Sequence, residues 1–184
     1  LVEFRNWSDT GAVTPDEQGA ALREELGIGD RHVVLYSGNI ANKQGIEIIP
    51  EAARLLTERD DLLFLVCGEG PAKKMLEARA EGLSNVRFLP LQPRERLPEL
   101  LGMAAVHLLP QIPDAADLVL PSKLANMLAS GRPIVATAEA STCLAKEVSG
   151  AGEVVEPGNA RAVADAVLRL VDDPEARRCF GEVA

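Results

Sequence analysis

Six short apolar runs, each followed by a longer amphipathic stretch, constrain this chain more than any other feature of its sequence. Such alternation builds βα units, and consecutive βα units pair their strands in parallel. The runs fall at residues 33–36, 62–67, 86–89, 105–109, 133–136 and 153–155. The stretches between and after them predict helices over 45–58, 71–81, 94–103, 122–130, 142–148 and 160–171. Local punctuation agrees with this reading. Pro71 suits a first helical turn, Gly131 a left-handed helix end, and Asn159 an N-cap. Right-handed crossovers then force an open, doubly wound parallel sheet, an α/β Rossmann-like layer of about six strands. Residues 31–184 are expected to form this single domain. Residues 1–30 are expected to be an interdomain linker with a packing helix over 15–26, and Trp7 reads either as an anchor of that linker or as a domain-interface residue.

Composition enters where it limits partners. Aromatics supply only 3% of residues, so burial must come from aliphatic faces, which favours helices packed on a sheet. A formal charge of -9 with no basic cluster argues against a nucleic-acid partner, because phosphate backbones are held mainly by Lys and Arg. Cys67, Cys143 and Cys179 are odd in number and form no CxxC, so neither a disulfide framework nor a zinc site is expected, and a reducing cytoplasm fits. No apolar run approaches the roughly 18 residues of a membrane span. The opening at Leu1 reads as a piece of a longer chain.

In a doubly wound sheet, ligands bind beyond the carboxyl ends of the strands where strand order reverses, here between the first and fourth strands. The loop after the first is Ser37-Gly38-Asn39-Ile40-Ala41-Asn42-Lys43-Gln44-Gly45. The loop after the fourth carries Asp114, Asp117, Pro121, Ser122 and Lys123. Both lead into predicted helices, whose first N–H groups and positive dipole ends favour phosphate. Two of the chain's five lysines stand at these loops. A diphosphate held between Lys43 and Lys123 is the reading their joint placement supports, whereas either lysine alone would read as a solvated surface charge. No GxGxxG follows the first strand, which disfavours a dinucleotide fold. No DxD stands at a strand end, and Asp60-Asp61 and Asp172-Asp173 read as turn acids, so no metal is expected at the site. His107 reads as a packed strand residue, Cys67 as a small apolar filler, and Gly68-Glu69-Gly70 as a tight turn.

The residues also carry a resemblance. Ser37-Gly38-Asn39 with Lys43-Gln44-Gly45, then Gly68-Glu69-Gly70-Pro71, Asn85-Val86-Arg87-Phe88-Leu89-Pro90, the segment 120–133 (LPSKLANMLASGRP) and Glu156-Pro157-Gly158-Asn159 occur in register with the predicted strands. In that order they resemble the C-terminal domain of family 4 glycosyltransferases of the GT-B fold. The subgroup they look most like builds colanic acid, capsular and O-antigen polysaccharides in bacteria.

The resemblance implies a binding domain for a GDP- or UDP-sugar, with no other cofactor, in a retaining hexosyltransferase that transfers to a glycan or lipid-linked acceptor. It places the diphosphate near Gly38, Asn39, Lys43, Ser122 and Lys123, and the ribose against Asn126. It places the base near Glu69, Pro90, Leu91 and Gln92, and the sugar near Asp117, Leu118 and Leu120. Catalytic residues on the acceptor side would belong to an N-terminal domain outside this sequence, leaving the isolated chain inactive. The full enzyme would be cytoplasmic, or peripheral to the inner face of the cytoplasmic membrane. The sequence departs from the family pattern at four positions. Many members carry two glutamates where Leu118 and Asn126 stand, and Arg and Lys where Asn39 and Gln44 stand. The charge role is therefore expected to have moved to Lys43 and Lys123. Two rival readings are a GT-B-fold nucleotide-sugar epimerase half-domain, which calls for acids and a histidine at the cleft, and a non-catalytic nucleotide-binding module.

Overall fold

The computed structural model describes residue 13, residues 19–113 and residues 120–183. Its strands are β1 (His32–Ser37), β2 (Leu62–Cys67), β3 (Val86–Leu89), β4 (Val106–Leu109), β5 (Ile134–Thr137) and β6 (Gly152–Val155). All five pairings are parallel, in the order β3-β2-β1-β4-β5-β6. Strand order therefore reverses between β1 and β4, as the sequence predicts. The helices are α1 (Ala20–Glu25), α2 (Ile48–Arg54), α3 (Lys73–Arg79), α4 (Leu97–Gly102), α5 (Lys123–Ala129), α6 (Cys143–Val148), α7 (Ala160–Asp172) and α8 (Pro174–Val183).

Alternating strand residues build two cores. Val34, Tyr36, Phe64, Val66, Val106, Leu108 and Val135 face one layer, where α2 contributes Ile49, Ala52 and Ala53, and α7 contributes Val163, Val167, Leu170 and Val171. Val33, Leu35, Leu63, Leu65 and Cys67 face the other, with Leu100 and Leu101 of α4 and Leu22 of α1. Leu124 and Met127 of α5 and Leu144 and Val148 of α6 close that side over β4 and β5. The spacing of the α7 residues, three and four apart, is what turns one helical stripe inward. Asn159 caps α7, its side chain accepting from the Ala162 N–H at 3.0 Å.

Several boundaries differ from the sequence reading, each for a local reason. His32, expected just ahead of the first strand, pairs with Leu62 inside it. The helix expected from residue 45 starts at Ile48, because Asn42–Gln44 form a 3-10 turn that ends at Gly45 with φ 66°. Of the packing helix expected over 15–26, α1 covers Ala20–Glu25, and Trp7 lies outside the described residues. Helix α8 was not expected. It begins at Pro174, and the Asp173 carboxylate accepts from the Ala176 N–H at 2.9 Å.

Candidate functional site

The carboxyl ends of β1 and β4 are held against each other by backbone, and that contact shapes the crevice. Gly45 sits so close to the loop after β4 that a Cβ there would come 2.9 Å from the Gln111 carbonyl. Gln111 is pinned in turn: its N–H donates to Thr137 Oγ1 at 2.7 Å, and that hydroxyl donates to the Gln111 carbonyl at 2.8 Å. On the other side, the loop after β2 presses on the loop after β1. The Gly38 N–H donates to the Cys67 carbonyl and the Ile40 N–H to the Glu69 carbonyl, at 3.0 and 2.9 Å. These two amides are thus committed to tying loops together. Among the residues of the β1 loop, Gly38 contributes space instead.

That space is filled by Lys123. From the first position of α5 its side chain crosses the crevice toward Gly38, where an added Cβ would lie 3.5 Å from Lys123 Cδ and 3.6 Å from Nζ. The ammonium lies 4.2 Å from the centroid of the Tyr36 ring and 3.4 Å from Gln44 Oε1, to which it donates. Burial pushes its pKa down to about 8. A cation held over an aromatic face beside neutral acceptors keeps its charge available to an anion.

The other expected contacts are distributed unevenly. Lys43 lies in the 3-10 turn and is exposed, as are Asn39 and Ser122. Ser122 makes no side-chain cap bond at the start of α5. Asn126 Oδ1 is buried without a hydrogen-bond partner. Glu69 is exposed and paired with Lys73 at 2.7 Å. The Pro90 carbonyl accepts from Cys67 Sγ at 3.3 Å and from Gln92 Nε2 at 3.0 Å, while Leu91 is 65% exposed. Leu120 packs against the core under α5. Asp114, Asp117 and Leu118 lie outside the described residues. Among the described residues there is no group of three or more His, Cys, Asp or Glu side chains suited to a metal ion, and no helix is long and apolar enough to cross a membrane.

His107 has a structural part. Its Nε2 lies 2.9 Å from Ser130 Oγ, whose proton goes to the Met127 carbonyl at 2.6 Å, so the imidazole must be the donor. Burial pushes its pKa down to about 3, which keeps it neutral. Tyr36 is a site residue that the sequence reading did not single out. Its only signal is being the chain's one tyrosine, placed two residues ahead of Gly38.

Over 192 residues the chain is 41% identical to a protein named as a colanic acid biosynthesis glycosyl transferase, WcaI, of Escherichia coli, covering 100% of this chain and 47% of that one. It is 36% identical to an alpha-D-kanosaminyltransferase of Streptomyces kanamyceticus, covering 90% of this chain and 43% of that one. The chain thus spans about half the length of the curated relatives it matches. Among solved structures, Anabaena HepE in complex with UDP superposes with a TM-score of 0.79 at 17% identity, over 96% of this chain and 49% of that one. The C-terminal domain of a glycosyl transferase group 1 protein from Francisella tularensis superposes with a TM-score of 0.75 at 20% identity, over 96% of this chain and 93% of that one. The six-stranded parallel sheet with helices on both faces is thus the Rossmann-like half of a GT-B fold. Residues 19–184 match the family model of the glycosyl transferases group 1, and the chain belongs to that family.

Proposed function

We propose that this chain is the donor-binding domain of a retaining glycosyltransferase that draws a sugar from a UDP- or GDP-sugar and delivers it to a glycan or lipid-linked acceptor in surface polysaccharide assembly. The observation that carries the proposal is Lys123 lying across the β1–β4 switch point beside Gly38. Departure of the nucleoside diphosphate builds negative charge on the bridging oxygen, and a preformed cation in a partly buried site stabilises that charge more than water can. Gly38, Asn39, Lys43 and Ser122 would line the diphosphate with Lys123, and Asn126 would take the ribose. The base would rest near Glu69 and over Pro90, Leu91 and Gln92, with the sugar toward Asp117, Leu118 and Leu120. HepE, a fold neighbour, is known with UDP-glucose as well as UDP, which fits a nucleotide-sugar donor. Acceptor-side catalytic residues would come from a second domain, since the curated relatives are about twice as long as this chain. The 184-residue chain by itself would bind donor without transferring it.

A thermal-shift panel of nucleoside diphosphates tests the proposal. At a hundredfold excess over Kd, a ligand bound only by the folded state adds about 2.7 kcal/mol. For a domain of this size that raises Tm by roughly 5–10 °C. Selective stabilisation by UDP or GDP over the corresponding nucleoside is expected. No shift with any nucleoside diphosphate would rule the reading out.

A further inference from the structure

The crevice contains a second layer beneath its lysine. Tyr36 is fully buried in β1, and its hydroxyl emerges between two acceptors, 2.5 Å from Gln44 Oε1 and 2.7 Å from the Asn39 carbonyl. It has one proton to give and two oxygens to give it to. Gln44 Oε1 has two lone pairs, so it takes that proton and still accepts from the Lys123 ammonium at 3.4 Å, while the face of the same tyrosine lies 4.2 Å below that ammonium. Burial holds the phenol well above its ordinary pKa, so it stays a neutral donor. Oxygen and π density thus meet the lysine from β1 and from the turn after it, and neither group carries a charge that would compete with the lysine for an anion. The lysine needs such guidance because it is long and starts from α5, on the far side of the crevice.

We infer that Tyr36 and Gln44 are positioning residues that aim the Lys123 ammonium at the donor's diphosphate, so that a cation from α5 serves a loop which has none of its own at Asn39 and Gln44. The inference rests on the donor-binding reading. It assigns Gln44 a role as the holder of the charge, where the sequence alone marks only a charge lost.

Calorimetry on the 184-residue chain separates this from a structural role. Gln44→Met and Tyr36→Phe keep the shape and remove the polar atoms. Each is expected to weaken UDP or GDP binding ~5-fold, the scale of one neutral hydrogen bond, and to leave uridine or guanosine binding unchanged. In a Lys123→Ala background neither substitution should weaken binding further, because groups acting through one partner are not additive. Losses that persist in that background, or that fall equally on the nucleoside, would overturn the inference while leaving the donor reading intact. Wild-type chain that binds neither UDP nor GDP would remove both.

Discussion

Replacing Lys123 by alanine is expected to weaken UDP or GDP binding ~30-fold, equivalent to about 2 kcal/mol for one charge-assisted contact in a partly buried site. The effect is expected to be larger than for Lys43→Ala, because Lys43 is exposed and screened by solvent whereas Lys123 is held over Tyr36. It carries a pH signature as well. In the free chain burial alone lowers the Lys123 pKa to about 8, and the Tyr36, Gln44 and Gly38 beside it are all uncharged. A bound diphosphate raises that pKa again. Affinity is thus full below pH 8, where the lysine is charged in both states. It falls as pH rises above 8, by up to about tenfold per unit while binding must take up a proton. Calorimetric titrations at pH 7, 8 and 9 should show this decline in the wild type and not in Lys123→Ala. Equal affinities for the two proteins at pH 7 would assign the diphosphate to other residues.

The second large effect is expected from a glycine in the loop after β2. At Gly68 a Cβ would come 1.9 Å from the Gly38 carbonyl, and at Gly70 2.3 Å from the Ile40 carbonyl. Both obstacles are backbone, which cannot swing aside like a side chain. Gly68→Ala must therefore push the β1 loop off the β2 loop and strain the bond from the Gly38 N–H to the Cys67 carbonyl. A cost of about 3 kcal/mol is expected, at the upper end for forced overpacking. That would appear as a fall in Tm of roughly 6–12 °C together with lost nucleotide binding. Gly82→Ala is the control: its φ is 80° but nothing lies within 4 Å, so only backbone strain remains, about 1 kcal/mol. Equal Tm losses for the two variants would mean that the loops do not meet as closely as described.

These expectations draw unequally on what the sequence makes legible. The sheet was readable because a parallel strand buried on both faces is a continuous apolar run, as in 62–67, where every residue is buried. The place of the crevice follows from the doubly wound pattern, whose order usually reverses between the first and fourth strands, as it does here between β1 and β4. Helix α8 is not legible as a separate helix although Asp173-Pro174 is a start signal, because a proline after two aspartates also reads as the end of α7. Within the site, Lys123 stood out as one of few lysines in a loop. Tyr36 did not, since a tyrosine in an apolar strand looks like core, and its ring is indeed core. Only folding of the 3-10 turn brings Gln44 back over its hydroxyl, eight residues along the chain. The committed amides of Gly38 and Ile40 were equally invisible. Periodicity says that two loops are neighbours, but not which N–H groups are spent in joining them.

A crystal structure of the chain grown with UDP or GDP tests the central claim most directly. The account predicts the two phosphates in the crevice between the β1 loop and α5, with Lys123 Nζ within hydrogen-bonding distance of a phosphate oxygen and Gln44 still behind it. A nucleotide bound elsewhere, or phosphates in the crevice with Lys123 turned away from them, would contradict it.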